Sequence, residues 1–174
     1  MPNEGRAPNG VLLEAFRHNA WATKQLLAFG KGLSDEQLTT PATGTYGGIL
    51  ATFNHLILSE AGYIRVPAGG RPAWAVNNEE SSDLDELVSR VEETAQMWEQ
   101  SLSEPVDADR VLLVDNGAHE VREGVILAQA RYHGNAHREQ ICTILTALSL
   151  EPPDIQAWEY AWATGRIWEA NAEG

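Results

Sequence analysis

The stretch REGVILAQARYHGNAHREQICTILTALSL, residues 122–150, decides how this chain folds. Its apolar residues Ile126, Ala130, Ile141, Ile144 and Leu148 recur at steps of three and four, and the same steps pass through His133 and His137. That period predicts a helix from about Arg122 to Leu150 with an inward stripe. His133 and His137 are one turn apart, about 6 Å along the axis, so both rings belong on that inward face. Burying two imidazoles without partners would cost on the order of several kcal/mol. A divalent cation removes the difficulty, since neutral imidazole is the commonest metal ligand.

An open metal site wants a third protein ligand. The predicted helix from about Gly47 to Arg65 is apolar nearly all round, through Ile49, Leu50, Phe53, Leu56, Ile57, Leu58 and Ile64. His55 lies inside it, in Phe53-Asn54-His55-Leu56, where a histidine has no obvious solvated face. Packing this helix against the one bearing His133 and His137 can bring His55 opposite the pair. The three are therefore read as ligands of one divalent metal. His18, beside Asn19, and His119, in a predicted hairpin turn, are expected on the surface.

Outward from these two helices, the same periodicity predicts three more. One spans about Val11 to Phe29, with Leu12, Leu13, Phe16, Ala20, Thr23, Leu26 and Leu27 inward and Gly30 and Gly32 ending it. A short turn follows at Ser34, where Ser34 and Gln37 form a capping-box pattern. Another helix begins with Ser82 as N-cap, carries Leu84, Leu87, Val88, Val91, Ala95, Trp98 and Leu102, and stops at Pro105. The last follows Pro152-Pro153 with Asp154 as N-cap and carries Ile155, Trp158 and Trp162. Between Val66 and Ser81 runs a long connector bearing Trp74, of the kind that often forms lids or binding loops. Val111 to Val114, Asn116-Gly117 and Ala118 to Val121 predict a small two-stranded hairpin. The expected fold is all-α: a four-helix bundle with an extra C-terminal helix and a small β-hairpin before the fourth helix, in one domain over residues 1–174.

The chain has 174 residues, 25 acidic against 12 basic, and a formal net charge of −13. So acidic a surface repels phosphate backbones, and no nucleic-acid partner is expected. No apolar run approaches the roughly 18–20 residues of a membrane span, and the opening MPNEGRAPNG lacks the basic and apolar regions of a signal peptide. The single cysteine, Cys142, excludes an intrachain disulfide framework and a cysteine-rich zinc cage. A reducing cytoplasm is the expected compartment, with Cys142 a small buried hydrophobe in a helix.

Four segments together resemble the DinB/YfiT-like superfamily of metal-binding four-helix bundles. Leu13 to Leu27, with Arg17-His18-Asn19-Ala20-Trp21-Ala22, is similar to the family's first helix and its Asn-x-Trp-Ala type motif. Gly47 to Leu56 resembles the helix with the first histidine ligand. His133-Gly134-Asn135-Ala136-His137-Arg138-Glu139-Gln140-Ile141 is similar to the His-x-x-x-His-Arg-x-Gln-Ile motif, and Leu148 to Tyr160 resembles the tail after it. The resemblance implies a bundle of four main helices whose metal is held by three histidines and exchangeable water. Members of that family with known activity include bacillithiol S-transferases and a mycothiol-dependent maleylpyruvate isomerase, and many others have no established activity. Some relatives carry a further histidine next to the third ligand; here Ala136 and Arg138 flank His137.

Three neutral histidines leave a doubly charged site with an open position, which lowers the pKa of a bound thiol or water. Thiolate attack fits a thiol-dependent S-transferase, and attack by water fits a hydrolase, in either case on a small-molecule substrate. The alternative is a non-catalytic metal-dependent binding or sensing protein with a fourth protein ligand. Zinc or nickel is expected first, with iron also accommodated, and a low-molecular-weight thiol is a further expected cofactor. Glu60 and Glu139 are the candidate general acid or base residues, Glu60 being placed on a polar helix edge. Gln140 reads equally as a group orienting a ligand and as a helix-packing amide. Trp158 and Trp162 share a face of the last helix, where a homodimer contact is expected.

Overall fold

A computed structural model describes residues 9–170. Residues 1–8, which carry most of the reading against a signal peptide, lie outside it. The elements in chain order are α1 (Gly10–Gly30), α2 (Asp35–Thr39), α3 (Ile49–Ile64), α4 (Leu84–Ser103), β1 (Val111–Val114), β2 (His119–Arg122), α5 (Glu123–Ala147) and α6 (Ala157–Ala163). Among the described residues no helix is long and apolar enough to cross a membrane.

The long helices close a ring: α1 packs on α4, α4 on α3, α3 on α5, and α5 on α1. Their directions follow from the core, which falls into two apolar clusters. One holds Leu26 and Leu27 of α1, Ile49 and Phe53 of α3, Leu87 of α4, and Ile141 and Ile144 of α5. The other holds Leu13 and Phe16 of α1, Ile64 of α3, Trp98 and Leu102 of α4, and Leu127 of α5. Thus α1 and α5 run one way, and α3 and α4 the other. Because α3 and α4 are parallel, the chain between them must travel back along the bundle.

This accounts for the long connector. It is strapped to α4, where the Trp74 indole donates to Glu93 at 2.8 Å and the Arg90 guanidinium lies 4.9 Å from the Trp74 ring centre. Its end is held by α3: the Asn54 amide donates to the Ser81 carbonyl at 2.9 Å and accepts the Ser81 N–H at 2.8 Å.

The capping box forms as expected, with Gln37 N–H on Ser34 Oγ and Ser34 N–H on Gln37 Oε1. Two other starts differ from expectation. The N-cap of α4 is Asp83, whose carboxylate accepts from the N–H groups of Asp85 and Glu86, while the Ser81 hydroxyl accepts from Asp83 N–H. Asp154 does not cap α6; its carboxylate accepts from Gln156 N–H at 2.9 Å, and Gln156 is the N-cap of a helix of only seven residues that begins at Ala157. The hairpin pairs Val111 with Arg122 and Val114 with His119, so its loop is the four residues 115–118, with Asn116 and Gly117 at φ 56° and 88°. Its second strand runs directly into α5.

Candidate metal centre

Helix α3 presents His55, and α5 presents His133 and His137, with one ligand atom from each lying within 4.8 Å of the others. The Nε2 atoms of His55 and His133 are 3.1 Å apart. Two imidazole nitrogens each about 2.1 Å from one ion, at an angle between about 90° and 109°, lie about 3.0–3.4 Å from each other. The spacing therefore fits a shared divalent ion. All three rings are half-buried rather than fully inward. The fully buried positions of this part of α5 are Gly134 and Arg138, one residue on from each histidine. The helix is rotated so that the imidazoles line the α3–α5 seam, where a ligand can reach them.

The protonation of His55 and His133 suits metal binding. Burial, then the neighbouring His137 and His55, brings His133 down to about 4. Burial, then His137, also lowers His55. The tautomer of His137 follows from hydrogen-bond logic. Gln140 Oε1 accepts the backbone N–H of Tyr46 at 3.0 Å and lies 3.1 Å from His137 Nδ1. An oxygen facing that ring nitrogen requires Nδ1 to carry the hydrogen, which leaves the Nε2 lone pair for a ligand. Of the two readings of Gln140, the geometry supports the orienting one. The Tyr46 ring stacks on His55 at 4.0 Å and meets His137 edge-on at 5.7 Å, closing one end of the seam. Tyr63 meets His133 edge-on at 5.5 Å on the other side.

Behind the histidines a polar layer separates the two apolar clusters. Asn19 donates to Glu60 at 2.7 Å across the ring from α1 to α3, and Arg131 donates to Asn19 Oδ1 at 3.2 Å. Arg138, 0 % exposed, reaches the Asn19 carbonyl and the Thr23 hydroxyl through Nη1. Among the described residues its Nε and Nη2 have no hydrogen-bond partner. Burial raises the Glu60 carboxyl, against the opposing pull of Arg138, Asn19 and Arg131.

The placement of Glu60 is therefore corrected. Glu60 is not on a polar helix edge but engaged in this layer, because its stretch of α3 faces the bundle axis. Glu139 is exposed, as expected for a residue two positions from His137, which faces another way.

His18 is also corrected. It is half-buried, its Nε2 donates to the Ile155 carbonyl at 2.8 Å, and its ring stands edge-on to Tyr160 at 5.6 Å. It holds the C-terminal segment on α1. His119 is exposed, on β2 rather than in the turn. Cys142 is half-buried against the core, and burial pushes its thiol up to about 11. Sequence reasoning missed Asn19, Arg131 and Arg138 as a unit, and Tyr46 and Tyr63 as neighbours of the histidines.

A sequence model of the DinB family matches residues 1–172. No curated protein sequence matches the chain.

Proposed function

The chain belongs to the DinB family, and from that premise we propose that it is a metal-dependent enzyme holding one divalent ion on His55, His133 and His137 and acting on a small molecule. The observation that carries the reading is the meeting of three half-buried imidazoles from two helices, their ligand atoms within 4.8 Å of one another. No carboxylate or thiol of the described residues joins that cluster. A three-ligand site with an open position suits catalysis, whereas a closed four-ligand site would suit the binding or sensing alternative. When bound, the ion supplies the Lewis acidity that makes a thiol or water nucleophilic near neutral pH.

The protein's own groups do the remaining work. Gln140 holds His137 in the tautomer that offers Nε2. Tyr46 stacks on His55 at one end of the seam. Thiol-dependent S-transfer is the first reaction class, with hydrolysis second, and zinc, nickel or iron satisfies three imidazoles. A low-molecular-weight thiol as co-substrate, and the reducing cytoplasm that would keep it reduced, belong to the same proposal.

The test compares metal-loaded with chelated protein. A low-molecular-weight thiol with a dinitrophenyl halide reports S-transfer, and a nitrophenyl ester without thiol reports hydrolysis. A metal-dependent rate in the first is expected. If neither rate responds to metal, the binding or sensing reading replaces the enzyme.

A further inference from the structure

Beyond the histidines, the α3–α5 seam widens into a groove. Because the two helices are antiparallel, ascending α3 and descending α5 lead the same way. From His55 the α3 face continues through Ser59, one turn on, to Gly62 and Tyr63. From His133 the α5 face continues back through Gln129 to Val125 and Ile126. Ser59, Gly62 and Tyr63 of α3 and Val125, Ile126 and Gln129 of α5, with Val114 and Val121 of the hairpin, line a cavity of about 410 Å³, within the roughly 300–1,000 Å³ of small-molecule sites. Tyr63 joins the two regions, its ring against His133 and its hydroxyl accepting from Gln129 at 3.4 Å. With Tyr46 stacked on His55 at the other end, Tyr63 is the residue that both lines the cavity and touches the histidine face.

Gly62 is the unexpected member. It lies in the last turn of α3 without a positive φ, and a Cβ built on it would meet nothing within 4 Å. Neither a turn nor tight packing explains a glycine there, and glycine is the poorest helix former after proline. Gly62 is exposed and is one of the residues that line the groove. The walls are mainly apolar, and the only charged lining residues, Arg65 and Asp115, are of opposite sign.

We infer that this groove seats the apolar body of the substrate, a small uncharged molecule with an aromatic or branched aliphatic part and one reactive polar end directed at the histidines, and that Gly62 sets how large that body can be. The inference rests on the metal-centre reading for the direction of the polar end, but not for the binding of the apolar part. In a chain of net charge −13, an uncharged body avoids the repulsion that an anion would meet.

Phenethyl alcohol, titrated by calorimetry into chelated protein, tests the groove without the metal. Binding is expected in the wild type and in Gly62→Ala, with a loss of about tenfold or more in Gly62→Phe, whose ring fills the same space. Val121→Trp should repeat that loss from the opposite wall, so a folding failure of one variant leaves the other to decide. Absence of binding to the wild type, or unchanged affinity in the filled variant, overturns the inference. In metal-loaded protein, phenethyl thiol should bind more tightly than ethanethiol, and Gly62→Phe should abolish the preference. Thiol affinities that ignore chelation would count against the metal centre alone, with the alcohol titration still deciding the groove.

Discussion

Gln140 shows how one amide can set the chemistry of a site. Its oxygen takes the Tyr46 N–H and faces His137 Nδ1, so ring orientation, tautomer and the loop before α3 are tied to one atom. Gln140→Leu removes that acceptor while keeping the side-chain volume. Metal affinity should fall about 10–100-fold, as read by competition with a chromophoric chelator, with little change in melting temperature; unchanged affinity would mean that the ring is oriented without it. The three-residue step from His137 made Gln140 legible in the sequence. Tyr46 was not, because it reaches the site from a loop, where no period marks an inward residue. His18 was misread for a related reason: its polar sequence neighbours are not its neighbours on the helix, and its partner carbonyl belongs to Ile155, far along the chain.

At the scale of the element, α5 carries two interleaved stripes. The one through Ile126, His133, His137 and Ile144 was readable from its apolar members. The deeper one adds Leu127, Gly134, Arg138 and Leu145 beside the legible Ala130 and Ile141, all buried, but an arginine at its centre disguises it. Only partners on other helices, Asn19 and Thr23 of α1, make a buried guanidinium tolerable, and these are invisible to a single-helix pattern. The helices themselves were legible almost to their ends, since long amphipathic periods are strong signals. The parallel course of α3 and α4, and so the structural task of the connector, was not. Gly134 is where the deep stripe is tightest: a Cβ there would lie 2.7 Å from Asn19 Oδ1 and 3.1 Å from Arg138 Nη1. Asn19 cannot easily retreat, being held by Glu60 and Arg131. Gly134→Ala should therefore destabilise by about 1–3 kcal/mol despite its better helix propensity. A denaturant melt as stable as wild type would show that the layer yields.

Across the whole molecule, the C-terminal segment is clamped to α1 by Glu14, which accepts from Arg17, Tyr160 and Arg166. Burial alone would raise this carboxyl, but hydrogen bonds from Arg166, Arg17 and Tyr160 outweigh it and bring it from 4.5 down to about 2. A depressed folded-state pKa stabilises above the unfolded value, and the gain is lost as pH falls from 4.5 toward about 2. The side chain is 43 % exposed, so screening keeps the effect modest. Wild type should melt above Glu14→Gln at about pH 6 and the gap should close near pH 2; a gap independent of pH would contradict the clamp. Trp158 and Trp162, 71 % and 51 % exposed, form the face on which a homodimer is expected. Sedimentation at micromolar concentration should show the dimer, and a monomer alone would contradict it. Metal content after exhaustive dialysis reads the three-histidine site itself. Wild type, His18→Ala and His119→Ala should each retain about one ion per chain, and His55→Ala, His133→Ala and His137→Ala far less. Equal metal in all six proteins would contradict the account.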